Sequence, residues 1–345
     1  MQNDLSKVLI IQTAFIGDVI LATPLIESLK GFDPGIKVDF LLRKGNEGLF
    51  EGHPHINKVL IWNKSKKYSS LWSIIQKIRN EKYDLVLNLQ RFFSTGLITF
   101  LSSASQKIGF SQNPFSFSYN NKLPFSTEKG LHEVDRNLGL LDFLPEIRIQ
   151  RAPKLYPSEK DKEKARDLTG PKRYITISPA SVWFTKQVPE KVWKDLIEIL
   201  PDDLKIVFLG GQGDRAIGDR LSLGNEEKVI NLCGQSSFLE SAAIMELSLL
   251  NYSNDSAPLH LSSSVNAPSA AVYCSTLPGF GFGPLSSFNR IYEVPDLDCR
   301  PCGLHGRKAC PLGHFKCGNS HEAQLLLKAY EDVISFGAKN EVNEV

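Results

Sequence analysis

Short runs of Val, Ile and Leu alternate with helix-patterned segments along most of this chain, and few folds accommodate that alternation. Val8–Gln12, Val38–Leu42, Lys58–Ile61 and Leu85–Leu89 read as buried strands. Between them, Val19–Lys30 and Leu71–Asn80 carry apolar residues at helical spacing, and His132–Leu144 sets Val134, Leu138 and Leu141 on one stripe. Such strand–helix–strand order predicts a parallel sheet covered on both faces. The pattern lapses around Ile149–Gly170, where Pro153, Pro157 and the charged run Glu159–Asp167 mark a linker and an entry helix. A second series follows, with strands Tyr174–Ser178, Lys205–Leu209, Val229–Leu232, one closed by Tyr252, and Ala270–Tyr273. Its helices are Pro189–Leu200, Arg215–Leu223, Ser237–Leu247 and Leu259–Val265. A length of 345 residues also favours two domains over one. The expectation is an α/β protein of two doubly wound domains, residues 1–160 and 170–320, facing a central cleft. Residues 321–337 hold a last helix, Glu322–Phe336, able to pack back on the N-terminal domain, and Lys339–Val345 reads as a frayed polar tail.

Charge narrows the partners. The net charge is +2, which gives no reason to expect nucleic-acid binding. Residues 1–150 hold 18 Lys+Arg against 14 Asp+Glu, a mild lean toward an acidic partner on that half. No apolar run approaches the roughly 20 residues that span a bilayer, and no signal-peptide pattern opens the chain, so a cytoplasmic protein is expected. The segment Lys64–Trp72 reads as a solvated loop before a helix. Its cations also suit an anionic membrane surface.

In open α/β sheets, ligands bind where strands end and helices begin. Phe15-Ile16-Gly17-Asp18 stands at such a place after the first strand. Glycine permits a tight turn there, and the Asp18 carboxylate suits either a general base or a helix cap; the spacing leaves both open. No Gly-x-Gly-x-x-Gly or Walker run follows that strand, which disfavours a nicotinamide or phosphate-loop site. In the second half, Asn254-Asp255-Ser256-Ala257-Pro258-Leu259-His260 leads into a helix whose N–H groups can hold a diphosphate, with His260 one turn further. The other reading makes Asp255 or Ser256 a plain cap and His260 a surface residue. Pro179-Ala180-Ser181-Val182-Trp183-Phe184-Thr185-Lys186 brings a hydroxyl and an ammonium to a third strand end, again suited to phosphate.

These stretches, in this order, resemble glycosyltransferase family 9, the ADP-heptose:lipopolysaccharide heptosyltransferases. Gly17-Asp18-Val19-Ile20-Leu21-Ala22-Thr23-Pro24-Leu25 is similar to that family's first strand–helix turn. Residues Pro179–Lys186 followed by Pro189 resemble its Pro-Gly-Ala-x-Trp-x-x-Lys-x-Trp-Pro stretch, and Asn254–His260 its Asn-Asp-Ser-Gly-Pro-Met-His. His132-Glu133-Val134-Asp135-Arg136-Asn137 matches a family helix. Cys299-x2-Cys302, Cys310-Pro311-Leu312-Gly313-His314 and Cys317 resemble the cysteine loop of the heptosyltransferase II branch. The likeness runs from residue 7 to about 336. Ala257 replaces a family Gly, Ala180 another, and Gln187-Val188 a family Arg-Trp.

The resemblance implies a GT-B fold, with an N-terminal acceptor domain and a C-terminal nucleotide-sugar domain. It implies inverting heptosyl transfer from ADP-heptose to the inner core of a lipopolysaccharide precursor, at the inner membrane, with no cofactor or metal. Asp18 would activate the acceptor hydroxyl. Lys186 and Asp255-Ser256-Ala257 would hold the donor diphosphate, with Thr185 and His260 adjacent and Asp214 toward the ribose. Rival expectations are a different nucleotide sugar or acceptor, a GT-B-like sugar-nucleotide epimerase, and a non-catalytic binding protein. Cys299, Cys302, Cys310 and Cys317, with His305 and His314 between, include enough donors for zinc. Their spacing is not that of paired CxxC knuckles, so reduced thiols in an ordered loop are expected. Cys233 and Cys274 read as core residues.

Overall fold

The computed structural model describes residues 5–65, 69–126, 130–144 and 146–343. They form two compact units that divide between Tyr156 and Pro157. In the first, β1 (Lys7–Ile11), α1 (Ile16–Ile20), α2 (Thr23–Phe32), β2 (Lys37–Arg43) and β3 (Ile56–Trp62) come first. Then follow α3 (Ser69–Glu81), β4 (Leu85–Asn88), α4 (Phe93–Leu101), β5 (Gln106–Phe110), β6 (Asn121–Leu123) and α5 (Glu133–Leu138). All six strands are parallel in the order β3-β2-β1-β4-β5-β6. Ile10 of β1 lies between Phe40 and Leu87, and all three are fully buried. That accounts for the nearly unbroken apolar runs.

The second unit contains α6 (Glu159–Thr169), β7 (Tyr174–Ser178), α7 (Glu190–Ile199), β8 (Lys205–Phe208), α8 (Arg215–Ser222) and β9 (Val229–Asn231). It continues with α9 (Phe238–Glu246), β10 (Asn251–Asn254), α10 (Ala257–Ser264), β11 (Ser269–Tyr273), β12 (Asn289–Glu293), α11 (Lys316–Asn319) and α12 (Ala323–Asn343). Its parallel order, β12-β11-β10-β7-β8-β9, repeats that of the first unit. In each sheet the order reverses beside the first strand, between β1 and β4 and between β7 and β10. That crevice is where doubly wound sheets take ligands.

Several boundaries differ from the sequence expectation, each for a physical reason. The helix expected over Val19–Lys30 is two helices: Thr23 Oγ1 donates to Ile20 O at 2.8 Å, and Pro24, with no N–H, opens α2. The helix expected over His132–Leu144 ends at Leu138 and tightens into a 3₁₀ turn, Gly139–Leu141. β5, β6 and α4 lacked a signal: β5 and β6 carry polar residues, and Phe93–Leu101 has no charged face to set a period. The entry helix α6 lies in the second unit, which begins at Pro157. A capping box between Ser158 and Asp161 starts it, and Lys164–Glu240 (2.6 Å) and Lys162–Glu246 (3.2 Å) tie it to α9.

The C-terminal helix is likewise part of the second unit's core. Ala323, Leu326, Ala329 and Val333 of α12 join Trp193 of α7 in one buried cluster. Tyr252 Oη donates to Leu326 O at 2.8 Å. Burial of Leu326 in that cluster contributes about 1.5–3 kcal/mol. α12 also runs on to Asn343, so the segment read as a frayed tail from Lys339 is helical that far; the rest of that segment lies outside the described residues. Among the described residues, no helix is long and apolar enough to cross a membrane.

Candidate active site

In the first unit, the chain leaves β1 through Gln12 and Thr13 and enters α1 at once. Phe15 is the N-cap residue of α1 but caps with no side chain, and Asp18 stands in the first turn. The backbone N–H groups of Phe15 and of Asp18 itself favour its charged form. Burial, then the neighbouring Glu133, raises its pKa from 3.8 to about 6, against the pull of those N–H groups and of Arg43. Gly17 is an ordinary helical residue here and adopts no left-handed backbone, so the tight turn expected of it is not what it supplies.

Other strand ends bring charge to Asp18. Arg43 closes β2 and lays its guanidinium 4.8 Å from the Phe15 ring. Lys64, although exposed, donates to Thr13 O at 2.8 Å and stands over Trp62. Its pKa is lowered by burial of the ammonium and then by Arg43. Lys64 thus points at the end of β1; of the segment expected as a loop over Lys64–Trp72, residues 66–68 lie outside the described residues and Ser69–Trp72 already form the start of α3. Glu133 opens α5, buried, and its carboxylate receives Arg136 Nε at 2.8 Å. Asn137 Nδ2 donates to Leu21 O at 3.3 Å, which fixes α5 against the end of α1. Arg43 and Glu133 carried no sequence-level assignment. Arg43 could have been found by the same strand-end reasoning that singled out Asp18.

In the second unit, the turns after β7 and β10 flank the crevice and are joined by a clamp. Asn254, fully buried at the end of β10, donates through Nδ2 to Pro179 O at 2.8 Å and accepts from the Val188 N–H at 2.9 Å. The clamp presents Lys186, whose Nζ lies 2.6 Å from Asp255 Oδ2. Thr276 Oγ1 donates to that same oxygen at 2.6 Å. The two residues assigned jointly to the diphosphate are therefore partners of each other. Asp255, itself an anion, orients the lysine, and the ammonium is the group fit to meet phosphate. Ser256 is the N-cap residue of α10 with no side-chain cap bond, and Ala257 and Pro258 open the helix. Val188 is core and Gln187 donates to Ser181 O at 2.6 Å, so both departures from the family stretch lie in the scaffold of the turn.

Three further assigned residues are Thr185, His260 and Asp214. Thr185 is 1% exposed: its Oγ1 accepts from the Arg307 N–H at 2.7 Å and from Ser275 Oγ at 2.9 Å. It braces the turn through both bonds that its oxygen accepts. His260 is 4% exposed, its ring 6.2 Å from that of Phe282, so it is not a surface residue. Asp214 Oδ2 accepts from the Gly211 N–H at 2.8 Å, which ends β8 in a tight turn and sets the start of α8.

The cysteine loop packs directly behind Lys186. Gly306 has φ +77, and a Cβ there would come within 3.0 Å of Lys186 Cγ and 3.2 Å of Thr185 Oγ1. Cys302 N donates to Ser275 O at 2.9 Å, and Arg300 donates through Nε and Nη2 to Thr276 O. Cys299, Cys302, Cys310 and Cys317 line one cavity with free thiols, and burial followed by the other thiols raises Cys317 to about 11. Among the described residues, no three His, Cys, Asp or Glu side chains converge closely enough to hold a metal ion. Cys233 and Cys274 are core residues, as expected.

The two sheets share one strand order, and each carries a charged side chain in the turn after its first strand, Asp18 in one unit and Lys186 in the other. The profile of glycosyltransferase family 9 (heptosyltransferase) matches residues 71–312. The chain belongs to that family and is a glycosyltransferase of GT-B fold. It is 28% identical over 281 residues to lipopolysaccharide heptosyltransferase 3 of Escherichia coli K12, covering 75% of this chain and 80% of that one. The glycosyl transferase family 9 structure from Veillonella parvula superposes with a TM-score of 0.83 at 21% identity, over 96% of this chain and 98% of that one. The Escherichia coli ADP-heptose lps heptosyltransferase II structure gives a TM-score of 0.79 at 19% identity, over 96% and 99%.

Proposed function

We propose that this chain transfers heptose from ADP-heptose to the inner core of a lipopolysaccharide precursor, with inversion at the anomeric carbon, on the cytoplasmic side of the inner membrane. The observation that carries the transfer chemistry is Asp18 in the first turn beyond β1, its carboxyl pushed up to about 6 by burial and Glu133. At neutral pH such a group is ionised yet basic enough to accept a proton. Asp18 takes the proton of the acceptor hydroxyl, and that oxygen forms the new bond to the anomeric carbon. The bond from that carbon to the diphosphate breaks, and ADP leaves with the electron pair. Lys186 and the N–H groups that open α10 receive the charge that develops on the diphosphate. Asp255 and Thr276 keep the ammonium in place. The relatives named for lipopolysaccharide and ADP-heptose support the donor and the acceptor. Incubation with a panel of nucleotide sugars and a truncated lipopolysaccharide acceptor, read by mass spectrometry, tests it. The expected product is the acceptor plus one heptosyl residue, formed from ADP-heptose. Transfer from another nucleotide sugar alone would replace the donor and keep the chemistry.

The charges of this mechanism are met by a side-chain ammonium and a helix end. Transfer is therefore expected to persist in EDTA, with divalent cations at most modestly stimulating. Complete loss in chelator, restored only by one divalent ion, would rule out the metal-free route. The cysteine loop acts through packing, because its backbone holds Thr185 and Ser275 and its Arg300 guanidinium holds Thr276. Cys302→Ser and Cys310→Ser are expected to lower the melting temperature more than turnover per folded molecule. Elemental analysis of protein purified without added metal checks the same point. About one zinc per chain, lost with Cys302→Ser, would make the loop a metal-stapled element instead.

A further inference from the structure

From Leu85 to Thr127 the chain runs 43 residues without Asp or Glu, and seven of its 20 phenylalanines fall there. The charged residues of that stretch are Arg91, Lys107 and Lys122. Core packing accounts for Phe110, but Phe92, Phe93, Phe100 and Phe117 are exposed at 62%, 61%, 40% and 71%. Three of these four rings cluster around Phe115. Phe93 meets it edge-on at 5.1 Å, Phe100 stacks on it at 5.6 Å, and Phe117 lies 5.9 Å from it and 5.8 Å from Phe100. Phe93 and Phe100 stand seven positions apart along α4, on the same side of the helix.

A further exposed aromatic stands on α3, which packs beside α4. Leu101 at the end of α4 lines a groove with Trp72 and Arg79 of α3, and Trp72 is 57% exposed. Arg91 directly precedes Phe92, and Lys77 and Arg79 are exposed on α3. Glu81, the carboxylate of α3, is engaged at the helix end by Lys7 at 2.5 Å and Lys58 at 2.9 Å. Folded proteins rarely leave a contiguous aromatic surface in water without a partner for it. Pairing this face with a second copy would bring its cations together with no carboxylate on α4 to meet them. Aromatic rings bordered by cations instead match the headgroup level of an anionic bilayer.

We propose that the α3–α4 face docks this chain on an anionic phospholipid surface. Phe92, Phe93, Phe100, Phe117 and Trp72 are the apolar anchors, and Arg79 and Arg91 the phosphate contacts. The proposal rests on the lipid-linked acceptor inferred above only for its purpose, since binding to a bilayer requires no transfer. The test is co-sedimentation of the intact chain with vesicles of phosphatidylcholine, and of phosphatidylcholine mixed with phosphatidylglycerol, neither containing acceptor. Binding is expected to the mixed vesicles and to weaken with salt. Phe93→Ser combined with Phe100→Ser is expected to weaken it about 100-fold, and Arg91→Glu roughly tenfold, with unchanged melting temperature and unchanged transfer to a soluble acceptor. Wild-type protein that ignores the mixed vesicles, or variants that bind as it does, overturns the proposal. So does a dimer dissolved by the Phe substitutions without vesicle binding, which would assign the face to a second copy. Vesicle binding with no heptosyl transfer to any acceptor would instead count against the transfer reaction and leave the surface standing.

Discussion

Asp18→Asn is expected to slow turnover by roughly 10²–10⁴, the usual scale of general-base assistance, while ADP affinity stays near that of the parent. Asparagine keeps the shape but cannot take a proton. The parent should show kcat/KM rising with pH through about 6 and flattening above, because burial and Glu133 hold the carboxyl there. The same shift predicts a change in stability. The folded carboxyl titrates near 6 against an ordinary 3.8, so between these values the folded state binds more protons than the unfolded one. Stability from this group is therefore full below about 4 and is lost as pH rises through about 6. At pH 7 the substitution should stabilise by about 1–2 kcal/mol, a figure reduced for partial exposure, and at pH 4 it should do little. Paired melts at the two pH values and turnover on the same preparation decide the matter. Near-normal turnover would leave Asp18 as a helix-terminal residue alone.

Much of this was legible because buried parallel strands announce themselves. Val8–Ile11 and Tyr174–Ser178 are covered on both faces, so their composition alone marks them, and the turns that follow mark the site. Edge strands such as β6 and β12 carry polar residues and left no such mark. Side-chain partnership was illegible for a different reason. Asp255 and Lys186 are 69 positions apart, and nothing in either motif says that one neutralises the other. Thr185 likewise reads as a free hydroxyl until the Arg307 backbone, 122 residues away, is found on it. The loop Cys299–Cys317 drew notice for its thiols, yet its contribution to the site comes through backbone groups, the Arg300 guanidinium and the space at Gly306.

Lys186→Ala is expected to have two separable consequences. Loss of the ammonium removes the charge that meets the leaving diphosphate, so ADP affinity should fall by roughly 10–100-fold, with AMP affected much less. Asp255, 7% exposed at its side chain, is at the same time left with Thr276 but without its cation. Breaking a buried pair from one side costs about 3–5 kcal/mol, so the single variant should also be markedly less stable. Lys186→Ala combined with Asp255→Asn separates the two effects, since the amide no longer needs a cation and can still accept from Thr276. The double variant should regain most of the stability and none of the ADP affinity. Calorimetry with ADP and AMP, together with denaturant titration of the three proteins, provides both readouts. If the double variant binds ADP as the parent does, the lysine serves Asp255 rather than the diphosphate. If it stays as unstable as the single variant, the pair is not what holds the turns after β7 and β10 together, and that role passes to the Asn254 clamp.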